Sequence, residues 1–113
     1  MTNTDENIVA IRQSSPQKKI VALMKKFPGF YSVVPGHILH GSINFNDSAF
    51  DKWASGPLSK GQRIIAKFIL GVYDQYSNDQ WECGKFDIFE AAGVLSSDNL
   101  NVIAEWVKKP FFV

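Results

Sequence analysis

Two histidines, one cysteine and one pair of carboxylates are the residues of this chain whose types and spacing could do chemistry. His37 and His40 sit in the stretch GHILHG. On a helix they would share a face and could hold an ion such as zinc, but Gly36 and Gly41 flank them and favour a loop or strand. In a strand, positions three apart point to opposite faces. A site would also need further ligands, and Cys83, Asp47 and Asp51 have the right types without a spacing that joins them to the histidines. The reading is no metal and no cofactor.

Nucleophilic catalysis needs a base and an orienting acid beside the nucleophile. Cys83 lies between Glu82 and Gly84, where an acidic neighbour raises a thiol pKa and lowers its reactivity. Asp47 and Asp51 stand one helical turn apart and read better as an N-cap and a neighbour of Lys52. PLSKGQR lacks the phosphate-loop spacing, and GxGxxG does not occur. The chain is expected not to be an enzyme and to have no small-molecule substrate.

The stretch EAAGVLSSDNLNVIAEWVKK, residues 90–109, raises a different chemistry. Ala91-Ala92-Gly93 allows close helix approach, Val94 or Leu95 suits the elbow, and Leu100, Ile103, Ala104 and Val107 make an inward face. In rhythm this resembles the helix-turn-helix regions of many bacterial repressors, which implies base reading from the start of the second helix. Asn99 and Asn101 are the residues there that could read adenine. Asp98 beside them would repel phosphates, whereas an acid in a first turn suits the helix dipole. Lys108 and Lys109 come at the far end, and the turn is one residue longer than the common repressor rhythm. An ordinary helical hairpin closing a core is the plainer expectation.

Lys18, Lys19, Lys25 and Lys26 form a positive face on the first helix, and Lys60, Arg63 and Lys67 form a stripe at i, i+3 and i+7. Together they could neutralise phosphates. The whole chain has 12 basic and 11 acidic residues, so no strong field supports that use. Solvated helix faces are the plainer explanation.

What remains is aromatic: nine Phe, three Trp and three Tyr in 113 residues. Most belong to the core. Trp81, however, lies in a polar connector, and Phe111-Phe112-Val113 follows the helix-stopping Pro110. Either the tail folds back over the core or it is displayed as a contact surface.

The elements that must position these residues read as helices. Ser15 and Pro16 open the first, with Ile20, Leu23, Met24 and Phe27 on one face and Pro28-Gly29 at its end. Residues 30–46 read as a short β-hairpin turning at Pro35-Gly36, or as an extended loop. DSAFDKWAS makes a short helix. Leu58 to about Tyr76 is the organising helix, with Ser59 and Gln62 at capping-box spacing and a close approach expected at Gly71. Asp87 and Glu90 repeat that spacing before a helix ended by Gly93, and Ser96 or Ser97 caps a last helix that Pro110 stops.

The expected fold is therefore mostly α, a compact bundle of about five helices: a flexible N-terminal arm over 1–15 and a single helical domain over 16–113. One cysteine, no secretory apolar core and no membrane-length apolar run place the chain in the cytoplasm. The expected function is a small non-enzymatic protein-interaction or regulatory module acting on a protein partner or by self-association, with Trp81, Trp106, Phe111 and Phe112 as contacts. The alternative is a nucleic-acid-binding regulator built on the 87–109 helix pair.

Overall fold

The organising helix forms where the capping box predicts it. In this computed structural model, which describes residues 15–39, 45–74 and 80–113, Ser59 Oγ accepts from the Gln62 backbone N–H and Gln62 returns the bond to the Ser59 N–H, both at 3.1 Å. Two of the four orphan donors of a helix start are thereby satisfied.

Six helices are described: α1 (Ser15–Lys26), α2 (Gly36–Leu39), α3 (Asp47–Ala54), α4 (Lys60–Tyr73), α5 (Ile88–Val94) and α6 (Ser97–Lys108), with a 3₁₀ turn over Tyr31–Val33. There is no strand among the described residues. The chain is mostly α, and α1 starts one residue before the expected boundary. Most of the N-terminal arm (residues 1–14), His40 and the end of the expected 58–76 helix lie outside the described residues.

α4 is central because it is apolar nearly all round. Ile64, Ile65, Ala66, Phe68, Ile69, Leu70 and Val72 are buried along it. α1, α3 and α5 pack against it. Aromatic edges join the layers: Phe27, just after α1, meets Phe68 of α4 at 5.9 Å between centroids, and Phe50 of α3 meets Phe45 at 5.1 Å. Each such pair adds about 0.5–1.5 kcal/mol beyond the area it buries.

The segment expected as a hairpin or extended loop forms a 3₁₀ turn and the short helix α2, separated by extended Val34. Phe30, Val34 and Ile38 are all buried. Pro35 opens α2, its carbonyl accepting from Ile38 N–H at 3.1 Å. Pro35-Gly36 starts a helix here and is not the centre of a hairpin turn.

Three contacts hold the connections. Asn46, not Asp47, caps α3, its Oδ1 accepting from Ala49 N–H at 3.0 Å. Arg63 donates to the carbonyls of Ala54 at 3.3 Å and Gly56 at 2.6 Å, closing the C-terminal end of α3. Asp51, 8% exposed, accepts from the backbone N–H groups of Glu82 (2.9 Å) and Cys83 (3.0 Å) and so stitches the 80–84 turn to α3. Gly84 is required in that turn. Its φ is +105°, and a Cβ would stand 3.2 Å from Lys67 Cε.

No described helix is long and apolar enough to cross a membrane.

Candidate functional site

The tail settles onto α4 and α6. Val113 N–H donates to the Val72 carbonyl at 3.1 Å, satisfying one of the orphan acceptors in the last turn of α4. The Trp106 indole N–H donates to the Phe111 carbonyl at 3.0 Å. Phe111 turns inward against the core, with the Lys19 ammonium 5.9 Å from its ring centre. Phe112 turns the other way and stays 46% exposed. The tail therefore does both things expected of it: its backbone folds back, and one of its rings is displayed.

Between these elements runs an open apolar groove of about 310 Å³. α4 supplies Phe68, Gly71 and Val72; the segment entering α5 supplies Phe86 and Ile88; α6 supplies Ile103, Trp106 and Val107; the tail supplies Phe112. Trp106 stands edge-on to Phe68 at 5.3 Å and to Phe112 at 5.4 Å, so three rings line one wall. Gly71 of α4 is part of the groove lining.

The rim is exposed and apolar. Ile88 is 49%, Val107 59% and Phe89 85% exposed. An unburied phenylalanine forgoes the roughly 1.5–3 kcal/mol that burial would return, and none of the described residues covers this one. Sequence reasoning missed Ile88, Phe89 and Val107. The signal lay in IFEAAGV: Ala91 is the residue of α5 that faces the core, and Phe89 falls on the opposite side of that short helix.

Trp81 is not part of this surface. It is half-buried in a second, polar hollow of about 520 Å³ with Asp47, Ser48, Asp51, Lys52, Gln80 and Glu82. Its indole nitrogen is buried and has no hydrogen-bond partner among the described residues. Both oxygens of Asp51 accept backbone donors, and Asp47 Oδ1 accepts from the Ser48 N–H.

Compared with known proteins, the chain matches no family model, no curated protein and no solved structure.

The remaining sequence-selected residues are scattered. His37 is exposed at the start of α2, and no group of three or more His, Cys, Asp and Glu able to hold a metal occurs among the described residues. Cys83 is buried, and burial first, then the Asp51 carboxylate beside it, push its thiol up to about 12. The direction is the one its acidic sequence neighbour suggested, but the causes are burial and then Asp51, a residue far away in the chain.

Of the basic stripe on α4, Lys67 pairs with Glu90 at 3.2 Å, Arg63 closes α3, and Lys60 alone is exposed. Glu90 thus serves Lys67, and Asp87 caps α5 by accepting from Phe89 and Glu90 N–H. Lys18, Lys19, Lys25 and Lys26 are exposed on α1, with Lys25 5.0 Å from the Tyr31 ring centre. At the start of α6, Ser96 is the cap. Asn101 is exposed, but the Asn99 side-chain oxygen is buried. Lys108 and Lys109 are exposed at the far end, where Lys108 lies 3.5 Å from Glu105.

Proposed function

We propose that this chain is a non-enzymatic protein-interaction module that takes an apolar side chain of a partner protein into the α4–α6–tail groove. The observation that carries the reading is the combination of an open, ring-lined groove and an exposed apolar rim at Ile88, Val107 and Phe112. A soluble chain leaves such a surface uncovered where something else covers it. Trp106, Phe111 and Phe112 belong to this site: Phe112 makes contact, Trp106 forms the wall, and Phe111 anchors the tail. Trp81 lies outside it.

A single, buried thiol fits a reducing, intracellular setting. The nucleic-acid alternative has less support. Arg63 and Lys67 are engaged within the fold, the Asn99 side-chain oxygen is buried away from the surface, and exposed Asp98 stands where a recognition helix would approach phosphates.

The test is Val107→Asp. Position 107 is exposed, so the variant is expected to melt within a few degrees of the wild type while losing proteins that the wild type retains. A variant that retains the same proteins would contradict the reading.

A further inference from the structure

We infer that the groove's partner is a second copy of this chain, with Phe89 of each copy seated in the groove of the other. This rests on the interaction-surface reading and names its occupant.

A projection stands one residue along α5 from a groove-lining side chain. Ile88 lines the groove rim, and Phe89, the next residue of α5, stands 85% exposed beside it. A knob next to a matching hole is self-complementary: a two-fold axis between them fills both at once, and the assembly closes as a dimer instead of growing into a filament. The sizes agree. A cavity of about 150 Å³ holds a benzene ring, so a groove of about 310 Å³ has room for the Phe89 ring with neighbouring side chains at its edge. Phe68, Phe86 and Trp106 would meet that ring with the same edge-to-face geometry they already use among themselves.

Area points the same way. The exposed parts of Ile88, Phe89, Val107 and Phe112 come to on the order of 400 Å² per copy. That is close to the apolar share of a standard interface, roughly 60% of about 800 Å² per partner. A net charge of +1 leaves little repulsion between copies.

Gly93 gives an independent mark. It lies one turn after Phe89 on the same outer stripe, and a Cβ built there meets nothing within 4 Å of the chain itself. A glycine inside a helix is unfavourable against alanine, and no described neighbour crowds this one. Close approach of a second copy over Phe89 would account for it.

The test is sedimentation equilibrium of the full chain from about 1 to 200 µM, with Phe89→Ser and Gly93→Ala as variants and anilinonaphthalene sulfonate as a groove probe. The expected result is a wild-type dimer that Phe89→Ser weakens at least about tenfold, and that Gly93→Ala weakens while its melting temperature holds or rises. A monomeric wild type across the range overturns the proposal. If that monomer still enhances the probe's fluorescence and Val107→Asp abolishes the enhancement, the groove reading stands and only its occupant was wrong. If the probe does not respond, both readings fall. A dimer indifferent to Phe89→Ser also overturns the proposal, because the copies then meet elsewhere.

Discussion

The indole N–H of Trp106 points at the carbonyl of Phe111, 3.0 Å away, and that bond sets which of the two tail phenylalanines faces the core. With the Phe111 carbonyl held and Val113 N–H bonded to Val72, Phe111 is turned inward and Phe112 outward, onto the wall of the groove.

Trp106→Phe keeps a ring against Phe68 and removes the donor. It is expected to lower stability by about 1–2 kcal/mol, a partly buried hydrogen bond plus some packing. It should also release the tail, so that Phe111 becomes mobile. Urea unfolding gives the first, and amide exchange at Val113 gives the second. Unchanged protection at Val113 would show that the indole bond does not hold the tail.

Asp51 is the only polar or charged residue buried among the described positions, and both of its oxygens accept backbone donors of the 80–84 turn. Asp51→Ala strands two N–H groups and is expected to be destabilising by about 3 kcal/mol or more. Asp51→Asn keeps one acceptor and is expected to fall between. Chemical denaturation of both variants checks the order.

The two kinds of prediction differ in how far the sequence disclosed them. The start cap and core face of α4 were legible, because Ser59–Gln62 and the run from Ile64 to Val72 carry cap and period in one stretch, but the helix stops at Tyr73, with Asp74 extended, short of the expected end. Asp51's role was not legible, since its partners at 82 and 83 lie some thirty residues away and nothing in local spacing joins them. The 30–39 segment was misjudged for another reason: Val33, Val34 and Pro35 have the local chemistry of a hairpin, while burial of Phe30, Val34 and Ile38 is decided by packing. The site was half legible. Trp106, Phe111 and Phe112 stood out by type and position. Ile88, Phe89 and Val107 did not, because an apolar residue in a short helix looks like core until the core is known. Trp81 stood out for the same bulk and proved to belong to another hollow.

Cys83 supplies a pH prediction. Its folded pKa, pushed up to about 12, lies above the ordinary value near 9. The contribution is therefore fully present below pH about 9 and is lost as pH rises from there towards 12, because only the unfolded thiol ionises readily. Tyr73, raised chiefly by burial and then by Asp47 and Asp74, adds loss in the same direction above pH about 10. Cys83→Ser is expected to flatten the fall in stability just above pH 9, and the native thiol should react with a disulfide reagent at pH 8 at a rate set by unfolding. Prompt labelling of the native chain would contradict the burial.

Arg63 separates a structural cation from a phosphate contact. Arg63→Lys loses the fork that spans Ala54 and Gly56 and is expected to be destabilising by about 1–2 kcal/mol. Any weak affinity for duplex DNA should be unchanged in its salt slope. A slope reduced by about one, with stability intact, would instead make Arg63 a phosphate contact.

The most direct measurement of the central claim is site-specific photocrosslinking in the producing cell, with the photoreactive residue at 107 on the groove rim and at 52 beside the polar hollow as the control. The account predicts covalent protein adducts, a doubled chain among them, from position 107 and none from position 52. An absence of protein adducts at 107, or adducts to nucleic acid in their place, would contradict it.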